Sequence, residues 1–163
     1  MRRALQTPLR TADGTPLCLA DDLGKRPLLI VFYRGHWCPY CKRYLCKLRD
    51  HHARLTAGGT RLVAVSPEHP AAGQRLVRTL ELPFTLLADV NGVLIDAFGL
   101  RNRIGAAHAM LPHPGVIFFD AAGNLHHRSI DRDYKRRTTI RSLLHLLNDA
   151  GMPVELPAEP MPD

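Results

Sequence analysis

Cys38 and Cys41 stand three residues apart in the segment Phe32-Tyr33-Arg34-Gly35-His36-Trp37-Cys38-Pro39-Tyr40-Cys41. An unbroken apolar run precedes them and a helical pattern follows, so the pair belongs on a strand–turn–helix junction. Pro39 suits the first helical position, which places Cys38 at the helix start. Free backbone N–H groups and the helix dipole there favour a thiolate at Cys38. Arg34, His36, Lys42 and Arg43 add positive potential nearby. Three helical residues separate Cα atoms by about 5 Å, within the reach of a disulfide. Such a pair can cycle between dithiol and disulfide by thiol exchange without loss of the helix. Position alone makes Cys38 the expected more exposed thiol and readier thiolate. Cys41 lies one turn in, on the face of Leu45 and Leu48, where burial opposes ionisation.

Other uses of these residues fit less well. A structural zinc wants four ligands, usually two such pairs. Cys18 and Cys46 are single, and His51 and His52 are adjacent rather than spaced as ligands. No metal and no cofactor is therefore expected. Cys18 and Cys46 read as packing residues, as free cysteine commonly is. Tyr33, Arg34, Trp37 and Pro39 flank the pair as supporting or substrate-binding candidates.

Several elements must hold this junction in place. Asp13-Gly14-Thr15-Pro16 reads as a turn before a short strand through Leu17, Cys18 and Leu19. Leu28 to Tyr33 reads as a central strand covered on both faces. Helices are expected over Tyr40 to Leu55, Pro70 to Leu80 and Asn91 to Phe98, with strands at Arg61 to Val65 and Phe84 to Ala88. Leu100 to Pro114 has no clear period and reads as a long loop. Gly115 to Phe119 and Leu125 to Ile130 form a hairpin around Ala121-Ala122-Gly123-Asn124. A last helix runs from about Arg137 to Asn148, with Ile140, Leu143, Leu144 and Leu147 on one face. The fold class is α/β, a mixed sheet between two helical layers.

The 163 residues fit one domain over 1–150 and a proline-rich tail over 151–163, disordered or draped on the surface. The longest apolar stretch is far short of a membrane span, and the basic N-terminus lacks the apolar run of a signal peptide. Four cysteines form no disulfide scaffold, and a cytoplasmic location is the expectation. The net charge is +7. Its one cluster, Arg132, Lys135, Arg136 and Arg137, reads as a solvated face, and no nucleic-acid motif accompanies it.

The cysteine segment resembles the peroxiredoxin-like branch of the alkyl hydroperoxide reductase and thiol-specific antioxidant family, within the thioredoxin superfamily. Asp13 to Leu17 resembles that family's opening strand pair, Pro112 to Asp120 its late strand, and Asp131 to Arg137 the approach to its last helix. The resemblance implies a thioredoxin-like fold and peroxide or disulfide reduction through cysteine. On the peroxiredoxin pattern, Cys41 matches the peroxidatic position, Cys38 stands in place of a threonine and Arg34 in place of a proline. On the thioredoxin pattern, Cys38 is the attacking thiol, Cys41 the resolving one, and Phe32 replaces a buried acid. Pro114 then matches a cis-proline facing the cysteines. The chain departs from the peroxiredoxin pattern at that threonine, and no arginine opens the Val116 strand. The resemblance implies a thiol peroxidase cycling through a Cys38–Cys41 disulfide. Its substrate would be a hydroperoxide or disulfide, and its reductant a thioredoxin- or glutathione-type thiol donor. It leaves room for a homodimer and points to neither nucleic acid nor membrane. A disulfide reductase and a non-enzymatic redox-sensing module are the alternatives.

Overall fold

A computed structural model describes residues 1–103 and 110–156. The apolar run becomes β3 (Leu28–Phe32), buried at every position. It pairs in parallel with β4 (Arg61–Ser66) and antiparallel with β6 (Gly115–Phe119). Outside β4 lies parallel β5 (Thr85–Ala88), then β1 (Leu9–Thr11) and β2 (Pro16–Leu17); outside β6 lies β7 (Leu125–Ile130). The order is β2-β1-β5-β4-β3-β6-β7, a seven-stranded mixed sheet. This is the expected α/β architecture.

Strand periodicity sorts the core into two layers. Leu29, Val31, Tyr33, Ala64, Val116 and Phe118 point to one face. There they pack with Cys41, Leu45 and Leu48 of α2 (Pro39–Asp50), Leu76 of α4 (Pro70–Leu80) and Leu143, Leu144 and Leu147 of α6 (Ile140–Asp149). Leu28, Ile30, Phe32, Val63, Ile117 and Phe119 point to the other face, against α1 (Arg2–Leu5) and α5 (Val93–Ala97). Each fully buried large side chain contributes about 1.5–3 kcal/mol, so both layers press β3 into a fixed position under the cysteines.

Several boundaries differ from expectation, each for a local reason. The expected single helix to Leu55 breaks at His51 (φ −110°, ψ 12°), and α3 (His52–Leu55) resumes beyond it. Cys18 lies outside β2 and precedes a 3₁₀ turn at Leu19–Asp21. The last helix starts at Ile140 rather than Arg137, because Thr139 caps it by accepting from the Ser142 N–H. That shift frees Arg137 for the site below. The N-terminal turn α1 was not expected; Leu5 anchors it, fully buried. Part of the Leu100–Pro114 loop expectation falls outside the described residues, and its ends meet in a bridge between Arg101 and Pro112. The start of the tail is packed: Val154 is buried, Met152 lies on the core, and Arg54 donates to the Glu155 carbonyl. Its end, 157–163, lies outside the described residues.

Candidate active site

The ladder of β3 continues one residue beyond the strand, where the Tyr33 N–H donates to the Val65 carbonyl at 3.0 Å. The chain then leaves the sheet. The Cys38 N–H donates to the Gly35 carbonyl at 3.2 Å, closing a turn that delivers Cys38 as the N-cap of α2. Its backbone is extended (φ −82°, ψ 116°) and Pro39 begins the helix, as the spacing implied. A Cβ at Gly35 would lie 2.6 Å from Trp37 Nε1 and 2.9 Å from the Glu68 carboxylate, so a larger residue there would push those side chains aside.

Cys41 is where the polar groups converge. Its Sγ accepts the Arg34 backbone N–H at 3.4 Å and the Arg137 Nη2–H at 3.1 Å. Burial pushes the Cys41 thiol above its ordinary value. The Arg34 amide and Arg137 charge pull the other way, and the Cys38 side chain adds a further upward push. Exposure does not separate the two thiols as expected, since both are buried. Cys38 is 1% exposed and Cys41 0%, because the turn at 35–38 and the first turn of α2 fold both sulfurs into the core layer.

Contrary to the expected solvated basic face, Arg137 turns inward to the site. It is half-buried, with its fork fixed on three sides. Nη1 donates to the carbonyls of Tyr134 (2.8 Å) and Arg136 (2.5 Å), and Nη2 to Cys41. The guanidinium lies 6.0 Å from the centre of the Tyr44 ring. No arginine opens β6, yet one reaches the sulfur from the segment before α6. The positional signal was Asp131–Arg137 as an approach to the last helix; its inward turn depends on where α6 starts.

Arg34 is buried between two exposed rings, 5.0 Å from Trp37 and 4.8 Å from Tyr134. Tyr40 packs edge-on to Tyr134. This stack ties the segment carrying Arg137 to the junction carrying the cysteines. On the other side, the His36 N–H donates to Glu68 at 2.7 Å and the His36 ring meets the same carboxylate at 2.5 Å. Tyr33 is buried beside Ser66, and burial keeps its phenol protonated well beyond its ordinary range. Glu68, Tyr44 and Tyr134 were not singled out in the sequence, because each reaches the site from a remote element or through a long-range contact.

Pro114 precedes β6 as expected but not in the expected isomer: the described residues contain no cis peptide bond. It lines a cavity of about 150 Å³ with Tyr44, Gly115 and Arg137. Gly115 fits because a side chain there would collide with Leu100 and lie 2.9 Å from the Ser129 carbonyl. All four cysteines are free thiols. Among the described residues no His, Cys, Asp and Glu cluster is arranged to hold a metal, and no helix is long and apolar enough to cross a membrane.

Comparisons with known proteins agree with this fold. The sequence model of the AhpC/TSA family matches residues 2–128. The chain is 32% identical over 116 residues to "Peroxiredoxin Q, chloroplastic" of Populus jackii, covering 67% of this chain and 53% of that protein. It is 31% identical over 100 residues to "Putative peroxiredoxin bcp" of Coxiella burnetii, covering 60% and 66%. The chain thus spans about half to two thirds of the length of these relatives. Among solved structures, the bacterioferritin comigratory protein of Xanthomonas campestris, studied for alkyl peroxide reduction, superposes with a TM-score of 0.79 at 16% identity, over 92% of this chain and 96% of that one. Peroxidoxin BcpB of Mycobacterium tuberculosis gives 0.70 at 19% identity, over 88% of each. With a thioredoxin-like sheet, a cysteine-bearing helix start and a family match over most of its length, the chain belongs to the AhpC/TSA family.

Proposed function

We propose that the protein is a thiol-dependent peroxidase in which Cys41 meets the peroxide. The observation that carries this is the convergence of the Arg34 N–H and the Arg137 guanidinium on Cys41 Sγ. Two donors at one sulfur stabilise a thiolate, and they face the oxygens of a peroxide as the O–O bond breaks. The relatives' names, peroxiredoxin Q and bcp, support the same reading.

The Cys41 thiolate attacks the nearer peroxide oxygen. The S–O bond forms as the O–O bond breaks, the alkoxide takes up a proton, and Cys41 becomes a sulfenic acid. The Cys38 thiolate then attacks that sulfur. Hydroxide leaves and takes up the proton released when the Cys38 thiol ionised, departing as water, and a Cys38–Cys41 disulfide forms. Two external thiols return both cysteines to the reduced state and leave as their own disulfide. The four cysteines lack a scaffold pairing, which supports a reducing, cytoplasmic setting.

A reductase acting on protein disulfides is the weaker reading. Exchange with a protein substrate needs an accessible sulfur, and neither Cys38 nor Cys41 exceeds 1% exposure. Stopped-flow oxidation of the reduced protein, with Trp37 fluorescence as the signal, tests the choice. Peroxidase chemistry gives a fast phase, first order in hydrogen peroxide or an organic hydroperoxide, that consumes two thiols per peroxide. Oxidation no faster than that of a free thiol refutes it.

A further inference from the structure

A second, larger cavity of about 830 Å³ lies between α2 and the start of α6, and its walls are strongly cationic. Arg43 and Lys47 project from α2, while Lys135, Arg136, Arg137 and Arg141 come from the opposite side. One carboxylate shares the lining, Asp131, and its own turn engages it through the Asp133 N–H at 3.0 Å. Among the described residues none of the six cations is in an ion pair. Like charges gathered on facing walls repel, and an anion between them relieves that repulsion.

The start of α6 opens on the same space, at Thr139 and Ile140. The Thr139 side chain accepts the Ser142 N–H. The Ile140 and Arg141 N–H groups begin this ten-residue helix with no carbonyl inside it to meet, and the helix dipole adds positive potential there.

Two buried donors on this wall lack acceptors. Tyr44 is 4% exposed, and its hydroxyl makes no hydrogen bond among the described residues. Burial keeps that phenol protonated, so it is a donor. The Arg137 Nε–H is likewise buried and unpaired, on a guanidinium 6.0 Å from the Tyr44 ring centre. Both residues line the groove and the 150 Å³ cavity, so the two spaces share this wall. A buried donor without an acceptor is costly, and the oxygens of an anion lying here supply acceptors for both.

We infer that this groove binds a small molecule through a phosphate group, held by Tyr44, Arg137 and the first turn of α6 and surrounded by Arg43, Lys47 and Arg141. A carboxylate presents two oxygens in one plane. A phosphate presents three in different directions and carries up to two charges, which matches donors arriving from α2, from the segment before α6 and from the helix terminus.

The site communicates with Cys41 through one residue. Arg137 Nη2 donates to Cys41 Sγ at 3.1 Å. A phosphate on the same guanidinium shares it with the sulfur and sets negative charge beside it. Bound phosphate therefore opposes the Cys41 thiolate, and by linkage the thiolate weakens phosphate binding. The binding claim stands on the groove alone; the effect on oxidation rests on the peroxidase reading.

The test begins with calorimetric titration of the reduced, metal-free protein with pyrophosphate at fixed, near-physiological ionic strength. One saturable site per chain is expected, with succinate bound about tenfold more weakly. Tyr44→Phe keeps the ring and removes only the hydroxyl, and should weaken pyrophosphate binding by about tenfold. The triple variant Arg43→Gln, Lys47→Gln, Arg141→Gln should lose binding while its circular dichroism spectrum remains that of the folded protein. Saturating pyrophosphate should slow oxidation of the wild-type protein by hydrogen peroxide about fivefold or more, and the rate of the triple variant should not respond to it. Absence of saturable binding, succinate bound as tightly, or binding indifferent to Tyr44→Phe overturns the site. A mixed-sequence single-stranded oligonucleotide that binds more tightly and displaces pyrophosphate overturns it in favour of a nucleic-acid surface. Saturable binding with an unaltered oxidation rate refutes the link through Arg137. If peroxide does not oxidise the wild-type protein at all, the peroxidase reading fails instead, and the calorimetry alone decides the site.

Discussion

Arg137 Nη2 donates to Cys41 Sγ across 3.1 Å, joining residues 96 positions apart in the chain. Three acceptors fix that guanidinium: the sulfur and the carbonyls of Tyr134 and Arg136. A positive group is thereby held at the sulfur before any substrate arrives. Hydrogen bonds to charged groups contribute about 1.5–3 kcal/mol, or roughly ten- to a hundredfold in rate. Arg137→Met should slow oxidation by hydrogen peroxide by that factor, while the circular dichroism spectrum remains that of the folded protein. Arg137→Lys keeps the charge but loses the fork, and should recover part of the rate. A wild-type rate in Arg137→Met would remove Arg137 from the chemistry.

The pH dependence follows from the raised Cys41 thiol. Peroxide reacts with the thiolate, so the oxidation rate should climb from neutral pH and continue to climb past pH 9, the ordinary thiol value. Arg137→Met removes a stabilising charge, so its rise should shift further alkaline. The same shift affects stability. Between the ordinary value and the raised one, the unfolded chain has lost the proton and the folded protein retains it. This thiol's contribution is therefore complete below pH 9 and is lost as pH rises through the folded value. Cys41→Ser should flatten that part of a urea-unfolding profile. A rate that levels off below pH 8 would mean that Arg137 and the Arg34 amide outweigh burial.

How much of this was legible beforehand depends on the range of each interaction. The hairpin Gly115–Phe119 and Leu125–Ile130 and the helix Pro70–Leu80 follow from local periodicity and lie where periodicity places them. The strand–turn–helix setting of Cys38 and Cys41 was legible for the same reason, with Pro39 marking the helix start. The site's second half was not. Whether Arg137 faces water or sulfur depends on Thr139 capping α6 two residues later and on carbonyls of its own turn. Composition registers that arginine only as charge. Cys38 was placed correctly at the helix start, yet its burial comes from the turn at Gly35 and the layer above β3, which no local pattern encodes.

The Trp37–Arg34–Tyr134 stack should position Arg137. Tyr134 provides both a ring against Arg34 and a carbonyl to Arg137. Cation–π contacts near a surface contribute about 0.5–1 kcal/mol, so Tyr134→Ala should lower the oxidation rate about two- to fivefold, with Tyr134→Phe close to wild type. Trp37 is the single tryptophan and half-exposed. Its fluorescence should therefore report the loosened stack in Tyr134→Ala before any peroxide is added. An unaltered rate and spectrum would show that the segment is held by its backbone alone.

Away from the site, Asp89 ties the end of β5 to α5. It is fully buried and accepts the N–H groups of Val93, Leu94 and Ile95 at 2.7, 3.0 and 2.9 Å. Each buried donor left unpaired costs about 1–3 kcal/mol. Asp89→Ala should lower the unfolding free energy by about 3 kcal/mol or more in urea titration, with Asp89→Asn milder. A loss under about 1 kcal/mol would mean that solvent or a shifted backbone replaces the carboxylate.

The identity of the sulfur that meets peroxide is decided most directly by trapping the sulfenic acid with dimedone on Cys38→Ser and Cys41→Ser, each given one equivalent of hydrogen peroxide. Cys41 has the Arg137 and Arg34 donors. Cys38→Ser should therefore be labelled on Cys41 at close to the wild-type oxidation rate, and Cys41→Ser should remain unlabelled over the same interval. Prompt labelling of Cys38 in Cys41→Ser, with Cys41 silent in Cys38→Ser, would reverse the roles and leave the helix terminus, rather than Arg137, as the activating element.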